Sequence, residues 1–135
     1  DIGERTRDPA ALASAYALKA SMLQFAGQVR AAFGWIALAE PLSDRNPSPD
    51  LHYWVDSTAA DLAMANGQLD ESIRLAEKGA AAVRDSDNPR REAQSYLTLI
   101  PLHIAKGQTA LALRECRRAF SSVRWRSPMS TGLVR

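Results

Sequence analysis

Two histidines, one cysteine, three tryptophans and an adjacent pair of carboxylates are the residues here whose types could do chemistry. Histidine ligates metals or moves protons, a thiolate attacks carbon, and paired carboxylates share acid–base work. The spacing favours none of these. The sequence around His52 and His103 does not assemble the three or four convergent ligands that a metal site needs, so both read as helix-surface or groove histidines. Cys116 lacks a neighbouring His or Asp signature and lies on an apolar helical face, where it reads as a small core residue. Asp70-Glu71 fits the first turn of a helix, where negative charge is favoured. Trp35, Trp54 and Trp125 could stack on bases, but only Arg124-Trp125-Arg126 interleaves an aromatic with cations. No glycine-rich loop is spaced to cradle phosphate. The expectation is a protein that is not an enzyme and uses no metal or cofactor.

Composition narrows the classes further. Lys+Arg 17 against Asp+Glu 15 gives a net charge of +2, too small to argue for nucleic acid or a membrane surface, and no direct contact with either is expected. Arginines cluster late, at Arg114, Arg117, Arg118, Arg124 and Arg126. They read as a solvated face that complements helix C-termini, or more sharply as a docking patch for an acidic partner. A single cysteine permits no internal disulfide and suits a reducing compartment. With neither a membrane-length apolar run nor a secretory leader, the expected location is cytoplasmic. The chain starts on Asp1 without an initiator methionine and reads as part of something longer. Its 135 residues fit one domain, and 46% hydrophobic content suffices for a core. Abundant Ala with scarce Val and Ile favours helix over sheet.

The elements that must position these side chains follow a beat. Gly27-Gln28, Gly67-Gln68 and Gly107-Gln108 are each 40 positions apart, and so are Pro9, Pro49 and Pro89. Each proline follows a capping residue: Asp8, Ser48 or Asn88. The cap accepts a bond from first-turn amides, and proline at the first helical position gives up an N–H that has no helical partner. Glycine supplies the left-handed residue that ends a helix. A fixed period of this length marks repeated supersecondary units, each helix, tight turn, helix.

In order, residues 1–8 form a charged lead-in. The first unit spans 9–48, with a helix from Pro9 to Ala26 bearing Leu12, Tyr16, Ala20 and Leu23. Its second helix runs from Gln28 to about Glu40 and carries Val29, Phe33, Ile36 and Ala37. Pro41 should stop that helix and open the longest loop, 41–48. The second unit, 49–88, has Leu51, Val55, Thr58/Ala59 and Leu62 on one apolar stripe, and Ile73, Ala76, Ala80 and Val83 on another. The third, 89–126, puts Pro101 inside its first helix, where it should bend it, and lines its second with Leu113, Cys116, Phe120 and Val123. Residues 127–135 open with Ser127-Pro128, like the start of a further or capping helix.

This cadence resembles tetratricopeptide repeats, over roughly residues 9–126. In register, small residues stand where that family places them: Ala20 and Ala60, with Ile100 departing; Ala32, Ser72 and Ala112; Ala39, Gly79 and Ala119. The period is 40 rather than the family's usual value of about 34, and only Pro41 closes a second helix. The resemblance implies an all-α fold, a right-handed α-solenoid of three helix-turn-helix repeats. More loosely, the Arg/Ala-rich texture looks like the repeat-containing sensor halves of bacterial transcription regulators.

In such a stack the first helices line a concave wall suited to an extended peptide or a helix. Opposite the apolar stripe of the clearest first helix lie Asp50, Trp54, Ser57, Asp61 and Met64. The matching positions are Ala10, Ser14, Ala17, Ser21 and Gln24 in the first unit, and Arg90, Gln94, Leu97, Pro101 and Ile104 in the third. An aromatic, acids, hydroxyls and a flexible methionine suit a groove for a protein or peptide ligand. The equally open alternative is that Trp54 packs against its neighbouring unit and the polar side chains are merely solvated. A second functional reading is a scaffold that self-assembles, to a homodimer for instance, through an apolar end formed by Phe120, Val123 and Trp125.

Overall fold

A computed structural model of the chain describes residues 8–84 and 86–126. They form six helices and no strand among the described residues: α1 Pro9–Phe25, α2 Val29–Asp44, α3 Pro49–Ala65, α4 Leu69–Val83, α5 Pro89–Ala105 and α6 Thr109–Arg126. The fold is all-α. Consecutive helices pack on one another along the chain, and α1 also lies beside α3. Most of the lead-in (residues 1–7) and all of the expected C-terminal segment, 127–135, lie outside the described residues.

The helix ends form by the predicted mechanism. Asp8, Ser48 and Asn88 accept from the amides of Ala10 (3.0 Å), Leu51 (3.3 Å) and Arg91 (3.1 Å), each ahead of its proline. Such a cap contributes about 1 kcal/mol. At the corners Gly27, Gly67 and Gly107 take φ of 81°, 77° and 78°. In each, the amide of the following glutamine donates back to a carbonyl five residues earlier, as from Gln68 to Ala63 at 2.8 Å. That pairing satisfies a terminal carbonyl and turns the chain at once into the next helix.

Small residues let paired helices approach. Ala20, Ala60, Ala32, Ser72, Ala39, Gly79 and Ala119 are buried, and Ser72 Oγ donates to the Ala60 carbonyl at 2.8 Å. A Cβ on Gly79 would stand 3.3 Å from Asp56 Cβ, so the α3–α4 crossing leaves little room there. One core cluster runs from Ala13 and Ala17 on α1 through α2, α3 and α4 to Leu99 and Leu102 on α5. A second, small one holds Ala93, Tyr96 and Ala119.

Three expectations need correction. Pro41 lies inside α2, which continues to Asp44 and leaves only residues 45–48 as the loop. The carbonyl that loses its helical donor belongs to exposed Ala37, where water can serve it, and buried Ser43 holds the last turn down. Leu113, Cys116, Phe120 and Val123 are exposed; α6 buries Ala112, Glu115 and Ala119 instead. The apolar periodicity of α6 is real, but Leu113, Cys116 and Val123 stay exposed on it. His103 is fully buried rather than on a surface or groove, while His52 is half-buried and its Nε2 meets the Asn46 carbonyl.

Candidate functional site

All three proline-capped N-termini belong to the first helices of the pairs. Between the first turns of α1 and α3 opens a depression of about 530 Å³, lined among others by Ala10, Ser14, Asp50, Leu51, Trp54 and Arg91. Three of the predicted residues, Ser14, Asp50 and Trp54, are thus brought together. Trp54 is half-buried, packing one side on the core while another lines the depression. This reconciles the two readings of its role, because an indole seated by packing loses little freedom when a ligand stacks on it. Arg91 closes the far side. Its Nε stands 3.5 Å from Asp50 Oδ1, and its guanidinium lies 5.3 Å from the Tyr53 ring centroid. Arg91 replaces Ala11 and Leu51 of the equivalent positions, so a break in the 40-residue register could have flagged it.

The remaining predicted residues lie outside the depression, Arg90 in the first turn of α5 and the others further along α1, α3 and α5. Met64 and Leu97 are exposed, as are Asp61, Arg90 and Gln94. Although Asp61 is exposed, protein atoms around its carboxyl displace part of its solvation and raise it above the usual carboxylate range. The Ser57 hydroxyl donates to the Trp54 carbonyl at 3.1 Å, and that of Ser21 to the Ala17 carbonyl at 3.2 Å. Both are occupied within their own helices. Ala17 is buried and does not belong to an open surface. Pro101 and Ile104 extend the exposed apolar run of α5.

A second polar constellation escaped sequence reasoning. His103 and Glu115 are both buried in the α5–α6 contact, with Nε2 and Oε1 4.0 Å apart. Glu115 Oε1 accepts from Arg114 Nη2 at 2.7 Å, and Arg118 approaches to 3.7 Å. Arg118 also lies over Tyr96, 5.7 Å from the ring centroid. Arg114 and Arg118 therefore serve a buried carboxylate rather than forming only a solvated face, and with Arg84 they rim a shallow depression of about 230 Å³. The signal was again register: Glu115 stands where Trp35 and Leu75 do, and His103 where Leu23 and Ala63 do.

Among the described residues, no three His, Cys, Asp or Glu side chains converge to hold a metal ion, and no helix is long and apolar enough to cross a membrane. No family model, curated protein or solved structure matches this chain.

Proposed function

We propose that this chain is a non-enzymatic interaction module, a short right-handed α-solenoid of three two-helix repeats like those of tetratricopeptide proteins. Its first helices would hold a protein or peptide segment. The observation that carries this reading is the depression at Trp54, where a packed aromatic, a carboxylate and a guanidinium face one opening. From there the wall continues along exposed Met64, Leu97 and Ile104. Apolar anchors flanked by opposite charges are what an amphipathic helix or extended peptide needs for affinity and orientation. In a transcription regulator, such a module would relay occupancy to a DNA-binding unit outside this sequence.

The test uses a synthetic array of peptides pairing an aromatic or aliphatic anchor with flanking lysine or glutamate. Selected peptides are then titrated against a Trp35→Phe, Trp125→Phe background, so that Trp54 alone reports. The expected result is saturable fluorescence change, a melting temperature that rises with peptide concentration, and loss of at least about ten-fold in affinity in Trp54→Ala and Arg91→Ala. If no peptide binds the wild type more tightly than it binds Trp54→Ala, the groove reading fails.

A further inference from the structure

Two clusters of charge occupy the same positions of the 40-residue register, one between α2 and α4 and one between α4 and α6, and they are built with opposite balance. In the first, Lys78 Nζ stands 3.1 Å from Asp44 and 3.5 Å from Asp56, and the Glu40 carboxyl lies within their field. In the second the cations persist: Arg74 becomes Arg114 and Lys78 becomes Arg118. The acids do not. Glu40, Asp44 and Asp56 become Ala80, Arg84 and Tyr96. Where the first cluster sets lysine against aspartate, the second sets arginine against arginine. Ala80, Arg84, Tyr96, Arg114 and Arg118 all line the depression of about 230 Å³ bounded by α4, α5 and α6.

Two of the three arginines are held in place. Glu115, wholly buried, accepts from Arg114 Nε at 3.0 Å and Nη2 at 2.7 Å, and Arg118 Nη1 stands 3.7 Å from the same oxygen. Arg118 also lies over the Tyr96 ring. A guanidinium has five N–H donors, so Arg114 keeps three beyond the two it gives to Glu115. Arg84, the C-cap of α4, is exposed and has no ion-pair partner among the described residues. Glu77 is the other acid that lines the depression. Three guanidiniums thus meet two carboxylates, one of which is shut away from solvent. The opening is rich in donors, poor in acceptors and positive.

We propose that this depression binds a phosphate group through Arg84, Arg114 and Arg118. The site is separate from the groove at Trp54 and does not depend on it. A phosphate carries close to two negative charges near neutral pH and offers about three strong acceptor oxygens. The planar guanidinium fork matches pairs of those oxygens. The ligand takes the place that Asp44 holds in the first cluster, bridging cations that otherwise repel one another. A lone carboxylate fits less well, because one arginine saturates its two oxygens and leaves the other guanidiniums unmatched. Glu77 works against the ligand by like-charge repulsion. The shallow opening suits a free ion or a small monoester rather than a helix.

Titration of the full chain with inorganic phosphate near neutral pH tests it, with ionic strength held constant by chloride. The readout is the Nε–Hε signal of each arginine in nitrogen-resolved NMR. The expected result is a saturable shift of Arg84, Arg114 and Arg118, with affinity lost at least about ten-fold in Arg84→Gln and in Arg118→Gln. Arg84 is exposed and unpaired, so Arg84→Gln should melt like the wild type even if Arg118→Gln loosens α6. Glu77→Gln should bind about two- to five-fold more tightly. Arg117→Gln, on α6 but outside the depression, should change affinity by less than about two-fold. Glycerol phosphate, run in parallel, separates the two sources: equal or tighter binding favours a phosphorylated molecule, weaker binding the free ion, and either sustains the site. No saturable shift below about 10 mM phosphate overturns the proposal. So does an equal loss in Arg117→Gln and Arg84→Gln, which would mean that the ion responds only to the charge of the surface. Acetate that binds as tightly as phosphate also overturns it.

Discussion

Lys78 holds together a group of carboxylates at the α2–α4 contact. Its Nζ lies 3.1 Å from Asp44 and 3.5 Å from Asp56, and Asp56 is almost wholly buried. Burial raises the carboxyls of Asp56 and Glu40 above their ordinary range, and Lys78 pulls both the other way. A carboxyl whose pKa is higher folded than unfolded stabilises the fold most below the ordinary carboxylate value, and that contribution is lost as pH rises through the raised value. At neutral pH both groups are therefore a cost that Lys78 offsets. Lys78→Met should destabilise by about 1–3 kcal/mol at neutral pH, discounted for a half-exposed ammonium. At about pH 4, with Asp56 taking up its proton, most of that loss should vanish. Urea melts at the two pH values check this. An equal loss at both would show that Lys78 acts through the packing of its stem.

At the scale of the element, α6 is the weak helix. It buries Ala112, Glu115 and Ala119, where α4 buries Ile73, Leu75, Ala76, Ala80 and Val83. Apolar burial stabilises in proportion to area, so α6 gains little from its packing. It also buries the His103–Glu115 pair, and His103 Nε2 and Glu115 Oε2 make no hydrogen bond among the described residues. Replacing such a pair by apolar side chains of similar size is commonly neutral or stabilising. The double variant His103→Leu, Glu115→Leu restores the residue type of the other units at both positions. It should raise stability by about 1–4 kcal/mol, read as a higher midpoint in thermal and urea melts. A lower midpoint would mean that the pair, with Arg114 and Arg118, holds α6 in place.

For the whole molecule, stability should be graded along the chain. The main core cluster joins α1 to α5, whereas the α5–α6 pair has only Ala93, Tyr96 and Ala119 in a cluster of its own. Local opening starts where a helix buries the fewest apolar contacts. Native-state hydrogen exchange should find the fastest-exchanging helical amides in α6 and the slowest in α3 and α4. Equal protection throughout would show cooperative unfolding of all six helices.

The helix boundaries and corners were legible because their causes are local. Asp8-Pro9, Ser48-Pro49 and Asn88-Pro89 begin helices, and Gly27, Gly67 and Gly107 turn the chain, through atoms within a few residues of themselves. The apolar stripes of α3 and α4 were legible for a further reason: both helices have neighbours on either side, so Leu51, Val55, Ala59 and Leu62 on one and Ile73, Ala76, Ala80 and Val83 on the other are all buried. Half of the candidate site could be read in the same way. Asp50 and Trp54 share a face by helical spacing and Ser14 holds the position of Trp54 40 residues earlier, but Arg91 joins them only because α5 lies across from α3. Periodicity also finds the apolar stripe of α6 without saying whether anything lies against it. Sequence by itself determined where the six helices start and where Gly27, Gly67 and Gly107 turn the chain, though not that α2 runs past Pro41 to Asp44. Tertiary structure alone decided that Leu113 and Val123 are exposed while Glu115 and His103 are buried, since burial depends on what stands opposite a face rather than on the face itself.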